Sequence, residues 1–219
     1  MELQVGRWAR LLSAVCALGL PAGTVEARPV SFLGSRMVML SGQPMMSSLS
    51  VDVTLLRRLA VGASYGWMQR RSDELQLAAL DVNVLAYRLN GAGYQANAFL
   101  LGNAGAVRDG SAAWRPAGAV AVELDAESRW LYGLVQGRYL RTLDGRLDDL
   151  QLLARAGVAP FVAGFQDINP FFVVQYQYLP RFSQPHVVTP MLRLLYRNVL
   201  LEVGVSLRGE PLVNVTTEF

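Results

Sequence analysis

The closing stretch of the chain, Asn198 to Phe219, constrains the fold more than any other. In steps of two, Val199, Leu201, Val203, Val205 and Leu207 form an apolar face, while Asn198, Glu202, Gly204, Ser206 and Arg208 between them are polar or small. After a turn at Gly209-Glu210-Pro211 the alternation resumes, with Val213 and Val215 set against Asn214, Thr216 and Glu218, and the chain ends on Phe219. A period of two is the mark of a strand whose faces meet unlike environments. The non-apolar face is mainly small and neutral, whereas strands of a water-soluble sheet usually carry charged residues there.

The same pattern recurs upstream. Met37–Leu40 reads as a short first strand followed by a turn at Ser41-Gly42-Gln43-Pro44. Leu49, Val51, Val53 and Leu55 alternate with Ser48, Ser50, Asp52 and Thr54 up to a reversal at Arg57-Arg58. Later segments set Leu80, Val82, Val84 and Ala86 against Asp81 and Asn83, and Ala96, Ala98 and Leu100 against Gln95, Asn97 and Asn103. Val120, Val122 and Leu124 face away from Glu123, before a reversal over Asp125 to Arg129. Val135 and Tyr139 face away from Gln136 and Arg138, and Leu152, Ala154, Ala156 and Val158 from Gln151 and Arg155. Phe172, Val174, Tyr176 and Tyr178 oppose Gln175 and Gln177, and Val188, Leu192, Leu194 and Tyr196 oppose Thr189 and Arg193. Phe171, Phe172, Tyr176, Tyr178 and Tyr196 sit where an interfacial aromatic girdle is expected.

The amino terminus sets the compartment. Arg7 and Arg10 precede an apolar run from Leu11 to Leu20, then Pro21 and Val25-Glu26-Ala27, which reads as a secretory signal over residues 1–27 cleaved after Ala27. Ten apolar residues are too few to span a bilayer. The sole cysteine, Cys16, falls inside the signal, so residues 28–219 offer no thiol for a disulfide or metal site. The chain is 52% hydrophobic, and beyond the signal no run approaches the length of a membrane helix. A hydrophobic exported chain of this kind has one other way to live in lipid, the closed barrel. The expected fold is therefore all-β: a single transmembrane antiparallel up-and-down barrel of about twelve strands, or ten if Met37–Leu40 does not pair. Both termini are expected on the periplasmic side of a bacterial outer membrane, with lipid as the surrounding partner.

The polar faces then point inward. The expected lumen-lining residues are Asp52, Asp81, Gln95, Asn97, Glu123, Gln136, Arg138, Arg155, Gln175, Gln177, Arg193 and Glu202. Their signs are nearly balanced, which suits internal pairing as well as a small polar channel. Met37, Met39, Met45 and Met46 are candidates for a soft metal ion, although methionine clusters are more often adaptable apolar filler. Surface lipid hydrolysis would need Ser183, His186 and Glu210 to meet at the rim, and their spacing matches no deacylase motif. No catalytic residue and no cofactor is expected. All twenty basic residues are arginine, and the net charge of +3 is too small to argue for nucleic acid.

A last strand ending in an aromatic residue resembles the sorting signal of bacterial outer-membrane barrels, which implies delivery to the barrel-assembly machinery through Phe219. Thr217 stands where that signal prefers a hydrophobe. The segments Tyr94-Gln95-Ala96-Asn97, Ala154-Arg155-Ala156-Gly157-Val158-Ala159-Pro160-Phe161, Val188-Thr189-Pro190-Met191-Leu192-Arg193 and Leu200-Leu201-Glu202-Val203-Gly204-Val205-Ser206 resemble those of uncharacterised exported proteobacterial barrel proteins. The likeness runs from about Ser47 onward. Members of that group are often encoded near heavy-metal resistance or efflux genes. The resemblance implies a metal-linked role and leaves the mechanism open; the barrel and its polar interior make a small non-enzymatic porin-like protein passing small solutes or ions the expected function. A closed structural or partner-docking barrel is the alternative, and an outer-membrane lipid hydrolase a minor one.

Overall fold

The computed structural model describes residues 29–70, 74–110, 112–162, 164 and 167–219; the expected signal and Cys16 lie outside them. Twelve antiparallel strands follow one another in chain order: β1 (Arg36–Gln43), β2 (Met46–Leu56), β3 (Leu59–Gln69), β4 (Glu74–Gly91), β5 (Tyr94–Asp109), β6 (Arg115–Ser128), β7 (Leu131–Thr142), β8 (Asp148–Val158), β9 (Asn169–Tyr178), β10 (His186–Tyr196), β11 (Val199–Val205) and β12 (Pro211–Glu218). Each pairs with its neighbours in sequence. The barrel closes because β1 pairs with β2 on one side, Met39 opposite Ser50, and with β12 on the other, Met39 opposite Thr216. The first strand therefore does pair, and the ten-strand count is excluded. Closure leaves no edge of unpaired backbone groups, the condition for a sheet to sit in hydrocarbon.

Three expected turns move, the last of them to Leu207-Arg208-Gly209, since Pro211 already pairs with Val205 in β12. Ser41, Gly42 and Gln43 belong to β1, because Pro44-Met45 reverses the chain in two residues, with Met45 at φ 61°, and pairing runs to Gln43 opposite Met46. Asp125–Ser128 belongs to β6, and the reversal is Arg129-Trp130. There the Ser128 hydroxyl accepts the N–H groups of Trp130 (3.2 Å) and Leu131 (2.9 Å), which holds the turn tight.

The two faces divide as the alternation demands. Along β6, Val120, Val122 and Leu124 are 64%, 51% and 48% exposed, while Ala119, Ala121 and Glu123 are buried. In the closing hairpin Val205 is exposed and Glu202 and Ser206 are buried. Leaving such side chains in water forfeits roughly 1.5–3 kcal/mol apiece, or tens of kcal/mol over the whole band. An outer surface of this kind suits acyl chains and not water. Aromatic side chains bracket it: Tyr87, Tyr94, Trp130 and Tyr196 near the end that holds the termini, and Trp114, Tyr176 and Tyr178 near the other. Phe171 is not part of this girdle. It points inward, fully buried, with its ring edge-on to Tyr132 at 6.4 Å.

Candidate functional site

The barrel interior is layered. At the end of the odd-to-even loops, inward-facing Met68, Leu75, Leu77, Val107 and Leu140 gather with Leu179 and Phe182 of the β9–β10 loop into an apolar cluster. At the other end, the strap before β1 turns inward. Val30 is fully buried against Ala60, Leu85 and Phe99. The strap is fastened by Gly34 N–H to the Thr54 carbonyl (2.8 Å), the Ser35 hydroxyl to Thr54 Oγ1 (3.1 Å) and Arg88 Nη2 to the Val30 carbonyl (3.5 Å). Between the two lies a polar cavity of about 370 Å³.

Strand placement sorts the charges of that cavity. Asp52, Asp81 and Glu123 come from β2, β4 and β6 on one arc of the wall, and Arg138, Arg155 and Arg193 from β7, β8 and β10 on the next. The acidic arc depends on a glycine. Gly62 of β3 lies between Asp52 and Asp81 in the register, and a Cβ there would run into the Asp52 carboxylate and the Val51 carbonyl. With no side chain in the way, Asp52 leans across β3 and accepts a hydrogen bond from Asn83 Nδ2 (3.0 Å). Asp81 accepts one from the Ser64 hydroxyl (3.0 Å) and Glu123 one from Gln136 Nε2 (2.7 Å). Among the described residues none of these three acids is in an ion pair.

Two arginines of the basic arc, Arg155 and Arg193, are tied up instead. Arg155 Nη1 meets Glu202 Oε1 at 3.1 Å, from β8 to β11, and its Nε donates to Gln175 Oε1 (2.8 Å). Arg193 reaches Glu127 at 3.5 Å and Glu202 at 4.0 Å, with its guanidinium 3.9 Å from the centre of the Tyr132 ring. Asn214 donates to the other Glu202 oxygen (2.8 Å) and accepts from the Ser41 hydroxyl (2.8 Å). Gln43 Oε1 accepts from Gln177 Nε2 at 2.7 Å, which links β1 to β9 across three intervening strands. Removing one partner from such a buried network costs about 3–5 kcal/mol, because it strands the charge left behind.

The expected lumen set therefore separates. Eight of its members line the cavity: Asp52, Asp81, Glu123, Gln136, Arg138, Arg155, Arg193 and Glu202. Gln175 and Gln177 are buried in the cross-brace to Gln43. Asn97 lies between Arg88 Nε (2.8 Å) and Asp125 Oδ1 (2.7 Å), and Gln95 bonds Asn90 at the rim (2.6 Å). Gln43 was hidden from the sequence reading by the supposed turn; extending the period Met37, Met39, Ser41 by one step finds it. Met37 and Met39 line the cavity, while Met45 and Met46 pack on the loop-end cluster. Among the described residues no group of three or more His, Cys, Asp or Glu is arranged to hold a metal ion. Ser183, His186 and Glu210 take separate partners: Met45 Sδ (3.3 Å), the Tyr176 hydroxyl (2.8 Å) and Gln184 Nε2 (3.2 Å).

No family model matches the chain, and no curated protein does. Among solved structures, the KdgM porin superimposes with a TM-score of 0.49 at 12% identity, over 84% of this chain and 98% of that one. The KdgM porin in complex with disordered oligogalacturonate gives the same values. A third chain, from a study of the in-meso crystallisation of membrane proteins, matches with a TM-score of 0.42 at 10% identity, over 86% of this chain and 83% of that one. Likeness at this level assigns neither cargo nor site.

Proposed function

We propose that this protein is an integral barrel of the bacterial outer membrane that passes small solutes or ions. The observation that carries the reading is the inversion of the two faces: aliphatic side chains outward all round a closed sheet, charged and amide side chains inward around a cavity. A chain built only to fill its own interior would pair its charges completely. Here Asp52, Asp81 and Glu123 stand outside any ion pair among the described residues. In this reading the chain is exported by cleavage after Ala27, both termini are periplasmic, and β12 with Phe219 addresses it to the assembly machinery. Metal ions as cargo rest on the resemblance in sequence alone, and a deletion strain no more sensitive to copper or zinc than its parent would remove them.

The second reading, a closed structural or docking barrel, draws on the apolar clusters at both ends of the lumen. Planar bilayers separate the two. Under the channel reading the purified protein gives discrete current steps, and Val30→Asn, which loosens the strap, lengthens or enlarges them. If both proteins are folded and inserted yet silent, the barrel is a structural one.

A further inference from the structure

We infer that the lumen selects for cations, and that the wall formed by Asp52, Asp81 and Glu123 sets that preference. The inference rests on the channel reading and names the charge class of what passes. The composition of the interior is close to neutral, but its charges are not distributed evenly. Arg155 and Arg193 are neutralised where they stand by Glu202 and Glu127. Among the described residues that leaves Arg138 as the basic side chain of the cavity wall without an ion pair within 4 Å, and Asp81 and Asp149 are the acids whose fields reach it. On the neighbouring arc stand three carboxyl groups whose hydrogen-bond donors, Asn83, Ser64 and Gln136, are all uncharged. A neutral donor fixes the position of a carboxylate without cancelling its charge. Outside the ion pairs the wall therefore holds three acidic side chains against one arginine, an acidic excess set in a low-dielectric sheath that screens charge far less than bulk water does.

The chemistry of the walls narrows the cation further. The three acids stand on β2, β4 and β6 and do not converge on one point as ligands of a bare metal ion would. A volume of about 370 Å³ holds on the order of ten waters. What fits is a cation that keeps its water, or an ammonium group on a small organic solute, attracted by the field and released again because no rigid ligand set captures it.

The test is the reversal potential of single channels under a salt gradient of potassium chloride. It is measured for the wild-type chain, for Val30→Asn, and for Asp52→Asn/Asp81→Asn/Glu123→Gln in each background. Expected is a potential of the cation-selective sign, corresponding to a permeability ratio of roughly fivefold or more, that collapses toward zero in the triple variant. An unselective or anion-selective wild type overturns the inference while leaving the channel in place, as does a triple variant that stays cation-selective. No current from any of these proteins, when folded and inserted, sinks the channel reading and this inference together. Should the triple variant not fold, Asp81→Asn alone carries the test. Among the described residues Asp81 accepts one side-chain hydrogen bond, from Ser64, and loss of its carboxylate should still lower the ratio about twofold.

Discussion

The two ends of the lumen are both occupied by apolar side chains, but they are built differently. At the loop end the occupants are Leu75, Leu77, Val107 and Leu140, members of the strands themselves, with Phe182 and Leu179 laid over them. They cannot part without bending the ladder that holds the barrel together. At the terminal end fewer strand residues take part, Ala60, Leu85 and Phe99, and the side chain that closes over them is Val30, on a strap that lies outside the ladder. Its burial contributes roughly 1.5–3 kcal/mol, and each hydrogen bond to Thr54 about 1 kcal/mol. One closure is part of the scaffold and the other is fastened on afterwards. A barrel built this way should open first at the strap.

That contrast can be broken by substitution. The largest effect is expected at the loop end, where Phe182→Ala should lower unfolding stability by about 3–5 kcal/mol, read from the denaturant midpoint of the protein in detergent. At the terminal end Val30→Asn should lower stability by only about 1–3 kcal/mol while increasing conductance more than Phe182→Ala does. Equal losses of stability at the two ends, or a larger gain in current from Phe182→Ala, would erase the distinction. The smallest effect is expected in the exposed β7–β8 turn. The Thr142 hydroxyl and the Arg146 N–H (3.1 Å) hold the Asp144 carboxyl below its ordinary range, with Arg115 and Arg146 adding to it. A carboxyl so lowered stabilises the turn at pH values above about 4 and loses that contribution as pH falls through its depressed value. Protection of the Arg146 amide from hydrogen exchange should fall at acid pH, and in Asp144→Asn it should be low throughout.

Much of this was legible in the sequence where one face alone was apolar. Val120, Val122 and Leu124 against Glu123, or Val203 and Val205 against Glu202, fix both strand and orientation, because a period of two has a single solution when lipid takes one side. The pattern was silent where the lumen itself turns apolar. In β4, Leu75 and Leu77 point inward while Leu80 and Val82 point outward, so the apolar phase changes within one continuous strand. The irregularity in pairing between Leu85 and Tyr87, which puts Tyr87 on the outside and Arg88 inside, has no local signature either. Nor does anything near Val30 announce that it will be buried against Phe99, which lies far along the chain. The candidate site shows the same limit. Its charged residues were identifiable one by one, but which of them are neutralised depends on contacts such as Arg155 to Glu202, made across the lumen between strands that are not neighbours.

The claim beneath all of this is that every strand turns one face to hydrocarbon. Single cysteines placed in turn at positions 119 to 124 of β6, each carrying a nitroxide spin label in reconstituted bilayers, test it directly. Labels at 120, 122 and 124 should collide with membrane-dissolved oxygen and be shielded from a water-soluble nickel chelate, with the preference reversed or lost at 119, 121 and 123. Labels at Val120 and Val122 that meet the aqueous reagent as freely as the others would contradict it.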